Sequence, residues 1–259
     1  MNNIFNLKRF MLLFKKHSLE HAKTNLLSTA VLAGIAAALM GFAAYTGGGR
    51  LPLQLQSIMF IYLIAGAGGI FTSLTFTELG NKRKATGVLT LPASHLEKFL
   101  VSWIYSYIIF QLVLIGVFYV VDWAIISVSV PPVHEPNKLI NIFDTDQRAL
   151  VGFLIFAIFH AFAIWGAIFF EKMHFIKTAF VFFIYIIVFA IINEPLLHLV
   201  TGVKDLHGVA YAQAYYIEGK NYWNIPPTDS MQNTNLVIIG IVVVVFWVSA
   251  FFRLKEKEI

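Results

Sequence analysis

Glu78-Leu-Gly-Asn-Lys-Arg-Lys-Ala-Thr-Gly-Val-Leu-Thr-Leu-Pro-Ala-Ser-His-Leu-Glu-Lys-Phe-Leu100 is the stretch that decides how this chain folds. It is the one basic, polar segment between two long apolar runs, 57–77 and 99–121. Lys82, Arg83 and Lys84 stand in a row, and the sequence then turns apolar up to Pro92. Ser94 followed three residues later by Glu97 is a capping box: the serine oxygen accepts from an early helix N–H, and the glutamate reaches back to the cap. A helix is therefore predicted to begin near His95 and to run on through the second apolar run. Two apolar helices joined by a short basic loop predict a pair of membrane spans with the loop on one side.

The rest of the chain agrees with that pair. Of its 259 residues 58% are hydrophobic and only 13% charged, against about 25% charged in a typical soluble domain. Crossing a hydrocarbon core of roughly 30 Å takes about 20 apolar helical residues. Six segments meet or nearly meet this: 26–45, 57–76, 99–121, 150–170, 175–192 and 236–252. They are continuously apolar and do not alternate, so helices are predicted and not barrel strands. The expected fold is all-α and polytopic, a single transmembrane domain over 1–259. Fourteen of the lysines and arginines fall on the side of the termini, the 78–98 loop and the 171–177 turn, and five on the other. That bias places both termini in the cytoplasm. The expected location is the cytoplasmic (inner) membrane. The net charge of +5 is spread over several loops and is not gathered in one soluble domain, so nucleic acid is not implied as a partner. With no cysteine, disulfides and thiolate metal sites are excluded. The first apolar run starts too late and is too long for a cleaved signal sequence.

Outside the spans, residues 1–23 place Ile4, Leu7, Phe10, Met11 and Phe14 on one helical face and Lys8, Arg9, Lys15 and Lys16 on the other, with Leu12 and Leu13 blurring the pattern. This predicts an amphipathic helix in the membrane interface, in contact with lipid headgroups. His17 and His21 have metal-ligand spacing but no third ligand, and read as solvated. Gly34–Ala38, Ala37–Gly41 and Ala65–Gly69 are small-xxx-small pairs that let helices approach closely, within one chain or between subunits. Trp123 is expected at the outer interface, Trp103 and Trp165 at the inner one. The fifth span is expected to end at Asn193-Glu194-Pro195. An external segment, 193–235, follows, whose part 196–203 suggests a short re-entrant or interfacial helix.

Chemical motifs are scarce. No GxxxxGK[ST] occurs, and Gly47-Gly48-Gly49-Arg50 resembles a phosphate cradle only in composition, so it reads as a turn between spans. No HExxH, GxSxG or paired intramembrane aspartates are present. Asp122, Glu171 and Glu194 fall at span ends, which leaves His160 as the only ionisable residue near mid-span. It reads either as a polar side chain hydrogen-bonded between helices or as a proton relay or substrate contact.

The acidic residue, basic cluster, small apolar run and Leu-Pro-Ala-Ser-His-Leu-Glu-Lys-Phe sequence resembles the loop between the second and third spans of ABC-2 type transporter permeases. The resemblance extends to the interfacial helix, the six spans and the external segment. It implies a permease subunit of an ATP-binding cassette exporter, paired with a second permease subunit and driven by a separate ATPase subunit that holds ATP and Mg. It further implies that this chain is not itself an enzyme. The coupling loop would comprise Glu78, Lys82, Arg83, Lys84, Pro92, Ser94 and Glu97. Two other classes stay open: a non-transporting assembly or sensor subunit, and a secondary transporter. Copurification of an ATPase separates the first of these from an exporter, and the sparse intramembrane charge weighs against the second.

Overall fold

The computed structural model describes residues 5–80, 92–130, 136–144, 148–170, 173–203, 205–208, 214–218, 221–226 and 229–256. Lys82, Arg83 and Lys84 lie outside them. Six long helices dominate: α1 (Leu7–Thr46), α2 (Leu53–Gly80), α3 (His95–Val128), α4 (Val151–Phe169), α5 (His174–Thr201) and α6 (Asp229–Glu256). Each covers all or nearly all of one predicted apolar run, and each is long and apolar enough to cross a membrane.

The first helix differs from expectation. Residues 7–23 are helical but continue without a break into the first span, giving 40 residues in one rod. At about 1.5 Å per residue this is roughly twice the thickness of a hydrocarbon core. No glycine or proline interrupts the chain before Gly34. The expected apolar stripe is also divided. Phe10 and Phe14 turn inward, with the Phe14 ring 5.0 Å from that of Tyr105 on α3. Leu7 and Met11 are exposed. His17, expected to be solvated, is half-buried and packs at a tilt on Tyr105, with ring centroids 4.5 Å apart. What positions the amino-terminal half is thus its packing on the start of α3.

Small residues set the closest helix crossings. A Cβ on Gly68 would lie 2.2 Å from the Phe156 ring, so α2 and α4 meet there. One on Gly166 would lie 1.7 Å from Thr178 Oγ1, where α4 meets α5. Between helices in lipid, van der Waals fit of this kind replaces the hydrophobic drive available in water. Phe60, Ile64, Leu114, Phe118 and Phe156 fill the centre. Ile164 and Ile168 of α4 pack with Ala250 and Leu254 of α6. Of the predicted small-residue pairs, Gly34 has nothing near it, and Ala65–Gly69 lies beside the Gly68 crossing without making it.

The third helix is not uniform. Residues His95–Trp103 and Phe110–Val128 are α-helical, and Ile104–Ile109 between them form a π-helical turn. Such turns hold one residue more than the α-helical count and locally widen the helix.

At the end of the bundle away from the termini, Gly47 caps α1, and Gly48 and Gly49 take φ of 63° and 85°, values that favour glycine. The Gly47–Arg50 segment is a tight turn, as expected. Asn137 clamps it: its Nδ2 donates to Gly49 O and its Oδ1 accepts from Leu51 N, both at 2.8 Å. Buried Gln56 fastens the same loop, donating to Leu51 O and Lys138 O and accepting from Ile140 N.

The external segment departs most from expectation. α5 runs through Asn193-Glu194-Pro195 to Thr201, with Pro195 inside the helix. No short separate helix follows among the described residues. In its place stands a three-stranded antiparallel sheet, β1 (Leu206–Gly208), β2 (Ala214–Glu218) and β3 (Asn221–Ile225), in the order β1-β2-β3. The fold is therefore not purely helical. Ala-Tyr-Tyr-Ile-Glu and Asn-Tyr-Trp-Asn-Ile carry the aromatic and β-branched residues that strands favour, and Glu218 pairs with Asn221 across a two-residue connection. The supposed helix terminator is a docking platform. Asn193 Nδ2 donates to Gly208 O, Glu194 meets His207 at 2.8 Å, and the His198 ring meets Leu206 O at 3.0 Å.

Candidate functional site

The capping box forms as predicted. Ser94 is in extended conformation, its Oγ accepts from Glu97 N at 3.2 Å, and Glu97 Oε2 accepts from Ser94 N at 2.9 Å. Glu97 then does more than close its own helix. Its Oε1 accepts from the backbone N–H of Asn6 at 2.6 Å and from Arg9 Nη2 at 2.8 Å, while Arg9 Nε donates to Oε2 at 2.9 Å. The Glu97 side chain has 0% exposure and that of Arg9 36%.

Asn6 is itself the N-cap of α1, its Oδ1 accepting from Lys8 N and Arg9 N. One buried carboxylate thus joins the amino-terminal ends of α1 and α3. Each end presents unpaired N–H groups and the positive pole of a helix dipole, and an anion between them satisfies both. The guanidinium fork gives the junction a fixed geometry. Beside it Pro92 is exposed and Ala93 and Ser94 are half-buried. Glu78 falls in the last turn of α2. Of the sequence-predicted loop residues the structure therefore brings Ser94 and Glu97 together and leaves Pro92 at the surface.

Asn6 and Arg9 were not among the predicted site residues. Arg9 was read as one of several headgroup-facing cations, and no local spacing links it to a glutamate 88 positions away. The one local sign is an arginine among lysines in the first turn of the helix.

The second polar centre is His160, fully buried in α4. Trp247 Nε1 lies 3.1 Å from its Nδ1, and Ser106 Oγ 2.9 Å from its Nε2. An indole N–H can only donate. Nδ1 is therefore the acceptor, and Nε2 carries the proton and donates to Ser106 Oγ. Ser106 passes its own proton to Ser102 O at 2.8 Å. Every ring nitrogen has a partner, and the chain from α6 through α4 to the π-turn of α3 is closed. This is the inter-helix hydrogen-bonded form of the two predicted for His160. Trp103 is partly buried and packs against the bundle, its ring 5.1 Å from Trp247, edge-on. Trp123 is exposed near the other end of α3.

The third centre is Asp122. It has 0% exposure, and neither carboxylate oxygen has a hydrogen-bond partner among the described residues. The nearby Ile140 amide is taken by Gln56.

The chain matches no protein-family model, no curated protein and no solved structure.

Proposed function

We propose that this chain is the membrane subunit of an ATP-driven exporter of the ABC-2 type, working as two copies with two separate ATPase subunits. The observation that carries the proposal is the Glu97 junction. A partner that pushes on the 92–94 corner pushes on the capped start of α3, and through Glu97 and Arg9 on α1 as well. Charge-assisted hydrogen bonds are roughly twice as strong as neutral ones, and they make this corner a stiff lever into two spans. The resemblance of the surrounding loop to the coupling loop of ABC-2 permeases supports an ATPase as that partner. On this reading Ser94, Glu97, Asn6 and Arg9 hold the lever, while Pro92 and the basic residues Lys82, Arg83 and Lys84 meet the ATPase or the anionic leaflet. ATP and Mg stay in the partner, and this chain hydrolyses nothing.

The test is purification of the chain from its native membrane in mild detergent, followed by nucleotide-binding assays on the chain alone and on the complex. The proposal requires an ATPase to copurify, the complex to hydrolyse ATP, and the isolated chain to bind none. Nucleotide binding by the isolated chain would overturn it.

Asp122 favours a second reading, a transporter driven by an ion gradient, because an unpaired buried carboxylate is a usual mark of an ion path. Its position near the outer end of α3, with the His160 network closed, leaves no continuous polar route among the described residues. Transport that collapses with the ion gradient and is abolished in Asp122→Asn would favour this reading over the first.

A further inference from the structure

A cavity of about 360 Å³ opens between α1, α2 and the π-turn of α3. Its walls are apolar along most of its length, with Ile35, Ala67, Leu74 and Val113 among them. One end differs. Asn25 and Ser28 line it, both are half-buried, and neither side chain makes a hydrogen bond among the described residues. A polar group left unpaired at the edge of the hydrocarbon region costs free energy that water there cannot fully recover.

The placement of these groups is informative. The apolar part of α1 begins at residue 26, so Asn25 and Ser28 stand at the boundary between headgroups and hydrocarbon. From Asn25 to Ile35 the cavity follows α1 for about 15 Å, at roughly 1.5 Å per residue, which is half of an approximately 30 Å core. The cavity is one leaflet deep. Its inner wall is the π-turn, through Tyr105 and Ile109. Tyr105 is held from behind by Ser18, whose Oγ meets its hydroxyl. Ser106, on the same turn, holds His160.

We propose that this cavity is a binding site for one acyl chain of a membrane glycerophospholipid, with the ester carbonyl accepting from Asn25 Nδ2 and Ser28 Oγ. The chain lies along α1 toward Ile35, and the headgroup stays in the interface on the side of the termini. The site differs from the exposed apolar faces of α5 and α6 in being a cavity walled by three helices, α1, α2 and α3. It depends only on the spans being in a bilayer and is independent of the exporter reading.

The experiment uses the full chain in nanodiscs of phosphatidylethanolamine and phosphatidylglycerol, doped with a phosphatidylcholine bearing a diazirine in one acyl chain. After photolysis, labelled peptides are mapped. Label in 25–35, 67–74 and 105–113 that is competed by unlabelled phospholipid is the expected result, with non-competed label on the Val244–Val245 face of α6 as the measure of bulk lipid. Ala67→Phe, which fills the cavity, and Asn25→Leu with Ser28→Ala, which removes the donors without filling it, should each abolish the competed label and keep the α6 label. The second variant decides if the first fails to fold. Labelling of the cavity that matches α6 and resists competition would overturn the site. A photoactivatable free fatty acid that labels the cavity when the phospholipid does not would overturn the assignment to a phospholipid.

Discussion

The Glu97 carboxylate accepts from four nitrogen donors of three residues, two of them backbone amides at helix starts, so its partners are coupled. Removing Arg9 leaves a buried carboxylate with only amide donors. A hydrogen bond to a charged group is stronger than one between neutral groups, and its loss is softened here because Arg9 is one-third exposed and water can replace part of it. Arg9→Ala and Glu97→Ala should each lower the temperature at which the detergent-solubilised protein aggregates, and the double variant should fall short of their sum, as for any directly interacting pair. Additive effects would mean that the ion pair is incidental. His160 offers a second residue-scale test. Trp247→Phe removes the donor to Nδ1 and leaves a buried acceptor unpaired, a loss of about 1–3 kcal/mol. Trp103→Phe makes the same change of shape without taking a donor from His160. Thermal unfolding should therefore drop more for Trp247→Phe, and equal drops would refute the tautomer assigned here.

At the scale of elements, the helix crossings turn on which glycines face a neighbour. Gly166→Ala would place a methyl against Thr178, a β-branched side chain that cannot swing aside. Overpacking of this kind costs typically about 1–3 kcal/mol. It should reduce the yield of monodisperse protein, while Gly34→Ala, with open space around it, should not; the reverse order would place the crossings elsewhere. The spans themselves were legible in the sequence because twenty-residue apolar runs have few alternatives in lipid, and Ser94-x-x-Glu97 marked the start of α3 because a cap is a local interaction. What escaped was non-local or overridden. Arg9 finds Glu97 through the packing of α1 on α3, which no spacing encodes. Pro195 suggested a helix end, yet α5 continues past it because Asn193, Glu194 and His198 gain partners in the sheet. The strands were hidden by reading 211–223 as tyrosines and tryptophan suited to headgroups, although Tyr-Tyr-Ile-Glu-Gly-Lys-Asn-Tyr-Trp also spells a hairpin.

For the whole molecule, the bias of basic residues predicts which face of the bundle is cytoplasmic. The termini and the 92–94 corner share one face, and the Gly47–Arg50 turn, the 136–144 loop and the sheet share the other. Reporter fusions after Arg50 and after Asp144 should both report the outside, and a cytoplasmic signal from either would refute the topology. Function is then a question about the face that carries the termini, where one corner is wired into two helices through Glu97. Because the chain has no cysteine, a single one can be placed there without further change. The most direct measurement is disulfide-range crosslinking in native membranes from Ala93→Cys, compared with Met173→Cys in the exposed corner before α5. The exporter proposal predicts a crosslinked product from Ala93→Cys that contains an ATPase subunit and is weakened by Arg9→Ala. No ATPase from either position would contradict the function proposed, and an ATPase from Met173→Cys alone would contradict the lever.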